Sequence, residues 1–188
     1  MNIFYLDHDV QRCAEMHNDK HCIKMILEYC QLLSTAHRVL DGKEVVVKSK
    51  TGRSVKRWLI DDERENKLYS ATHINHPSAV WCRLNGENYK WLQSMLVALC
   101  KEYTYRYGKV HKCERDGLVD QLARLPDTIP STPFTQPTPA MPDDVKVAGD
   151  SIKSYRNYYN LNKTHLASWK GKINSRNEPE WFNANIRI

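Results

Sequence analysis

The sequence predicts a mainly α, compact, single-domain fold with one small β-hairpin and a proline-rich strap. Three observations predict it. Apolar residues recur at helical spacing over two long stretches, about 11–40 and 87–107. One alternating β-branched run, Glu44-Val45-Val46-Val47-Lys48, faces Ser54-Val55-Lys56-Arg57-Trp58 across a Lys50-Thr51-Gly52-Arg53 turn. Six of the eight prolines lie between 126 and 142, a density that neither a helix nor a central strand accepts.

In chain order, residues 1–9 read as a short strand or extended arm. Residues 11–40 read as one long helix, stopped by Asp41-Gly42. The hairpin occupies 43–58. Residues 61–71 form a short helix or loop. Asn75-His76-Pro77-Ser78 breaks the chain and begins a helix over about 78–84, with proline near its first position. A second long helix runs from Glu87 to Tyr107 and stops at Gly108, and a shorter one covers about 114–124. The strap follows at 126–142, with Phe134 and Met141 as its anchors. Asp150-Ser151 caps a last helix over about 151–169, inside a basic, aromatic C-terminal segment, 151–188.

Composition narrows the function. The chain has 188 residues, 41% of them hydrophobic, which suffices for a packed core. Only seven glycines are present, and neither GxGxxG nor GxxxxGK[ST] occurs, which argues against a dinucleotide fold or a phosphate loop. No apolar run approaches membrane-spanning length, so a soluble protein without a membrane partner is expected. Met1 to Leu6 lacks a basic start and meets Asp7 at once, so it does not read as a signal peptide. Six cysteines form no CxxC pair. Cys22, Cys30, Cys82 and Cys100 fall in apolar helical pattern, as reduced core thiols of a cytoplasmic protein do. The net charge of +6 hints at an anionic partner.

The first helix carries the most informative pattern. Between Cys22 and Leu33 it is apolar nearly all round. The polar exceptions, extended both ways, are His17, His21, Lys24, Glu28, Gln31 and Thr35. Their spacing of 4, 3, 4, 3, 4 confines them to an arc of about 80°. A buried carboxylate among cations is costly unless paired or wet, so the stripe is expected to line a polar cleft with Glu28 tuned for proton transfer. The competing reading is a Lys24–Glu28 ion pair on an exposed strip. His17 and His21 at i,i+4 resemble half of a zinc site, with His73 and His76 as candidates for the rest. Lys20 and Lys24 crowd it with positive charge, and no metal site is predicted. His37, on the opposite side, reads as a structural histidine.

Two cationic clusters remain. The hairpin holds Lys43, Lys48, Lys50, Arg53, Lys56 and Arg57 against Glu44, which suits phosphate contact or the protection of an exposed edge equally well. Residues 151–188 carry a net +5 interleaved with Tyr155, Tyr158, Tyr159, Trp169, Trp181 and Phe182, a composition that holds nucleic acid. Tyr155, Tyr159 and Trp169 read equally as core positions. Tyr103, Tyr105, Arg106, Tyr107 and Lys109 repeat the pattern on a smaller scale.

Three segments carry a family resemblance. They are Asp19-Lys20-His21 followed by Glu28 and Leu40-Asp41-Gly42-Lys43; Asn88-Tyr89-Lys90-Trp91-Leu92 through Ala98-Leu99-Cys100-Lys101-Glu102 to Tyr107-Gly108-Lys109; and Glu178-Pro179-Glu180-Trp181-Phe182. In that order, over roughly half the chain, they resemble the phage pyrimidine-dimer DNA glycosylases, the endonuclease V type that cuts at UV damage. The resemblance implies a compact all-α DNA-repair enzyme that flips a nucleotide out of double-stranded DNA, works as a monomer without a cofactor, and acts in the host cytoplasm or nucleoid. It implies an α-amino nucleophile, here that of Met1, which attacks C1′ of deoxyribose. It implies a glutamate that stabilises the cationic sugar, matched by Glu28, and a neighbouring histidine, matched by His21. Asn2, His17, Lys24, Gln31, Asn75, His76, Arg106, Lys109 and Trp181 are the expected DNA and substrate contacts. Where the family places arginines near the amine and the glutamate, this chain has Ile3, Leu27 and Gln31. The expected activity is therefore a glycosylase with AP-lyase chemistry on a damaged or modified pyrimidine. A transferase acting on a hypermodified thymine and a non-catalytic DNA-binding helical module are the alternatives.

Overall fold

A computed structural model describes residues 1–183. The fold is mainly α, as the sequence predicts. Its helices are α1 (Val10–Met16), α2 (Asp19–Asp41), α3 (Pro77–Cys82), α4 (Gly86–Tyr107), α5 (Lys112–Arg115), α6 (Leu118–Gln121) and α7 (Ser151–Asn162). Strands β1 (Lys43–Lys48) and β2 (Ser54–Leu59) pair antiparallel, with Lys43 opposite Leu59 and Lys48 opposite Ser54. Among the described residues no helix is long and apolar enough to cross a membrane.

The long first helix is in fact two. Asp9 caps α1 through Arg12 N–H, and Asn18 caps α2 through His21 N–H. His17 and Asn18 adopt extended backbone between them, because two side-chain caps in succession stop one helix and start the next. The 114–124 helix is also broken, by Gly117 in a left-handed conformation, into α5 and α6. The last helix ends at Asn162 and gives way to a 3-10 turn at Thr164–Leu166. Residues 61–71 contain only the 3-10 turn Glu63–Asn66. Helix α4 ends at Gly108, whose φ of 62° suits a glycine cap.

Helices α2 and α4 pack at the centre of one continuous core. It includes Met25, Ile26, Tyr29, Leu32 and Leu33 from α2, and Tyr89, Leu92, Met95, Leu96 and Leu99 from α4. All six cysteines are buried and free. Burial pushes the Cys13, Cys22 and Cys100 thiols up to about 12, so they stay protonated and act as small apolar groups.

The first nine residues form an extended arm and no strand. Ile3, Phe4, Tyr5 and Leu6 are all buried. Phe4 stacks on His21 with ring centroids 4.0 Å apart and meets Tyr155 and Tyr159 of α7 edge-on. Arg156 of α7 donates to the Leu6 carbonyl at 2.9 Å. The arm is thus clamped between α2 and α7.

The strap is ordered by hydrogen bonds that its prolines leave available. Trp81 Nε1 donates to the Thr135 carbonyl at 2.9 Å, Asn85 Nδ2 to Pro133 at 3.1 Å, and Gly86 N–H to Pro130 at 2.8 Å. Phe134 packs against Trp81 and Trp91, and Met141 is buried, as expected of anchors.

Candidate active site

The site forms where the arm ends. Met1 begins it, and the Met1 amine lies 3.7 Å from Glu28 Oε2. Its register on α2 follows from simple geometry. Phe4 sits over His21, and Met1 reaches Glu28. Three extended residues span about 10 Å, and seven helical residues rise about 10.5 Å. The arm therefore runs along the polar stripe and covers its first half.

That register sorts the stripe residues. His17 is wholly buried; its Nδ1 lies 2.7 Å from the Cys13 carbonyl oxygen and its Nε2 3.3 Å from the Tyr29 hydroxyl. It lies outside α2 and touches no open surface, which corrects its expected place among the substrate contacts. His21 is covered by Phe4. The Tyr159 hydroxyl lies 2.6 Å from His21 Nδ1. Burial, aided by His17 and Lys163, drives His21 down to about 2, so it is neutral. It supports the arm through its stack with Phe4. Thr35 is buried and bonded to Thr72.

Beyond the arm's tip the stripe opens. Lys24 Nζ, largely exposed, lies 3.0 Å from Glu28 Oε1, while the Glu28 side chain retains 12% exposure. Each Glu28 oxygen thus faces a different amine: Lys24 in solvent, Met1 in a nearly enclosed position. Gln31 is half-buried one turn on. Ile23 and Leu27, 41% and 40% exposed, flank Lys24 and Glu28 on the same helix. The competing ion pair is present, with Lys24 in solvent and Glu28 mostly covered.

The loop before α3 brings His76 into the field of the Met1 amine and Glu28. His76 caps α3 by accepting from Ser78 N–H at its Nδ1, 3.2 Å away. Burial, then the Met1 amine and His73, depress the His76 pKa against the pull of Glu28. A neutral imidazole with its proton on Nε2 is the result. His73 is the one non-glycine residue with positive φ among the described residues, at 48°, a conformation that costs energy and must be held by its surroundings. Thr72 Oγ1 contacts its Nδ1 at 2.7 Å. Asn75 is exposed beside them, and Asn2 is half-buried next to Met1.

The more distant expectations fare differently. Arg106 is fully buried. Its Nε donates to Glu102 Oε1 at 2.6 Å, its Nη1 to Asp19 Oδ1 at 3.0 Å, and its Nη2 to the Glu15 carbonyl at 2.8 Å. Such a cation is consumed by its own fold, which corrects its expected place among the DNA contacts. Burial alone would raise Glu102, but hydrogen bonds from Arg176 and Arg106 hold it below its usual range. Lys109 is exposed just past α4. Trp181 is half-buried, edge-on to Tyr159, with Arg156 over its ring at 5.3 Å. It lines an open recess of about 530 Å³ with Arg12, Met16 and Arg156.

The basic tail is likewise thinner in free charge than its composition suggests. Arg156 and Arg176 serve Asp7 and Glu102, while Lys153, Lys170 and Lys172 face solvent. Arg187 lies outside the described residues. Tyr155, Tyr159 and Trp169 are core residues. His37 is structural, 2.8 Å from the Tyr89 hydroxyl. Among the described residues no group of three or more His, Cys, Asp or Glu side chains is placed to hold a metal ion.

Sequence reasoning missed the arm's role. The signal was Ile3-Phe4-Tyr5-Leu6, four consecutive apolar or aromatic residues, which marks a segment buried on both sides. An amine and a carboxylate meet at its end, and His76 is near enough to be influenced by both. No protein-family model, no curated protein and no solved structure matches the chain.

Proposed function

We propose that the chain is a DNA-base-directed enzyme, a glycosylase with AP-lyase chemistry acting on a damaged or modified pyrimidine in double-stranded DNA. The observation that carries the reading is the Met1 amine 3.7 Å from the Glu28 carboxylate at the end of a clamped arm. Glu28 takes the proton that the amine must lose.

The neutral amine then attacks C1′ of the deoxyribose. As the N–C1′ bond forms, the bond from C1′ to the base breaks, and the base leaves with that electron pair and picks up a proton. The attached amine gives up a second proton, and its lone pair expels O4′, which is protonated as the ring opens. The product is an iminium between the chain and the sugar. Loss of a C2′ proton then expels the 3′ phosphate oxygen by β-elimination. Glu28, 12% exposed, stabilises the cationic sugar and relays these protons. Hydrolysis of the iminium frees the amine.

The pyrimidine-dimer glycosylase resemblance fits this site, with a difference at its walls. Ile3 is buried in the core and Leu27 is partly exposed, so the pocket relies on Met1 and Lys24 for positive charge. That favours a neutral modified base over a bulky dimer. It also keeps a second reading open, transfer of a group to a modified thymine on the same scaffold. One assay separates them. DNA carrying modified pyrimidines is incubated with the protein and with Glu28→Gln, and bases, nucleosides and strand breaks are measured by mass spectrometry and gel. Base release lost at least ~100-fold in Glu28→Gln is expected. A heavier nucleoside in intact strands selects transfer, and unchanged DNA with every substrate overturns both.

A further inference from the structure

The β1–β2 hairpin has no role in the site above, yet it is built with care. Both faces are open to solvent: Lys43, Arg57 and Leu59 are exposed on one, and Glu44, Val46, Lys48 and Lys56 on the other. A ribbon with no buried face gains little from packing and needs support at its root. The root is braced by Arg38 of α2, itself buried. Its guanidinium donates to the carbonyls of Trp58, Glu65, Leu68 and Tyr69 and to the Glu65 carboxylate, at 2.6–2.9 Å. Ile60 N–H adds a bond to Glu65 Oε2 at 2.8 Å. Gly42 makes the junction, where any Cβ would collide with the Arg38 carbonyl. This is a stiff arm on a fixed root.

Its charge is as one-sided as its exposure. Residues 43–57 carry a net +5. Of the six cations, Lys56 alone is held by a carboxylate among the described residues, that of Glu44 at 2.7 Å. A second copy pairing edge to edge would set these cations against one another, so self-association is disfavoured. A polyanion is favoured. Two strands with their side chains fill a major groove about 12 Å wide. Six residues per strand give a reach of about 20 Å. The root lies at the end of α2, thirteen residues past Glu28, or about 20 Å along the helix. That matches about six base pairs of duplex at 3.4 Å each.

We infer that the hairpin is a groove-docking arm that grips duplex DNA about half a helical turn from the nucleotide held at Glu28. The inference rests on the DNA reading above but is tested by binding alone, so each can fail without the other. The probe is an unmodified 30-base-pair duplex, with binding measured by anisotropy between 50 and 200 mM salt. The variant Lys48→Ala/Lys50→Ala/Arg53→Ala/Arg57→Ala leaves the Lys56–Glu44 pair intact. If all four cations touch phosphate, the salt slope falls by about 3.6, and about 100-fold of the wild type's salt-dependent loss of affinity disappears. Lys50→Glu at the tip gives a smaller change of the same sign, in a variant confined to the turn. A slope and affinity unchanged in both hairpin variants overturn the inference. So does loss of binding to anionic phospholipid vesicles with duplex binding intact, which would assign the arm to a membrane surface.

Discussion

The N-terminal arm and the hairpin are both extended segments attached to α2, one lying along its side and the other leaving its end. The arm buries Ile3 to Leu6 and ends on a single paired charge, Met1 with Glu28. The hairpin buries almost nothing and spreads four cations over its two faces and two more at its turn. The difference teaches what each can do. Chemistry on one atom needs a nucleophile fixed by packing, because small displacements lose much of the benefit of proximity. Grip on a long anion needs many weak, screened contacts and no burial. The same helix positions both, with Glu28 at its middle and Arg38 near its end.

If the comparison holds, perturbing the buried side is far more costly than perturbing the hairpin. The largest effect is expected at Arg106, which joins α4 to Asp19 at the start of α2. Arg106→Ala leaves Glu102 buried with Arg176 as its remaining cation, and should lower stability by about 4 kcal/mol in urea unfolding. Phe4→Ala removes the ring packed on His21, Tyr155 and Tyr159 and should cost about 3 kcal/mol. It should also release the Met1 amine, so base release falls even where the variant remains folded.

Acid offers a third perturbation. Burial lowers His17 and His37 to about 4 and His21 to about 2, against 6.5 in the unfolded chain. The unfolded state therefore binds protons that the folded state refuses. Stability is complete above pH 6.5 and declines as pH falls through 6.5 toward 4, by about 1.4 kcal/mol per pH unit for each histidine that remains neutral when folded. Denaturant midpoints at pH 7.5 and 5 measure this, and His37→Asn should flatten the decline. The smallest effect on stability belongs to the hairpin. The four-alanine variant should unfold within about 0.5 kcal/mol of wild type, while its DNA binding changes most.

Much of this architecture could be read before the fold was known. The hairpin, the glycine stop of α4 and the strap anchors rest on local chemistry, and local chemistry is written in consecutive residues. The stripe was legible as a stripe because helical period is local too. What covers it was not. The Phe4–His21 stack joins residues far apart in the chain, so periodicity on α2 alone could not separate the roofed half from the open half. The break at His17-Asn18 was hidden because the polar stripe's spacing ran across it, although Asn18-Asp19 in a polar run offered a cap signal. Arg106 and Arg176 read as DNA-facing cations because composition records charge and not the carboxylates that tertiary packing brings to it. Glu102 and Asp19 claim that charge in the fold.

The central claim is that the Met1 amine is the nucleophile and Glu28 its partner. Borohydride trapping on duplex DNA containing an abasic site tests it most directly, with peptide mapping of the cross-linked protein and intact mass of the free chain. The account predicts one covalent adduct, mapped to the α-amine of the N-terminal peptide and strongly reduced in Glu28→Gln. Absence of an adduct, or an adduct mapped to the Lys24 side chain with the N-terminal peptide unmodified, would contradict it.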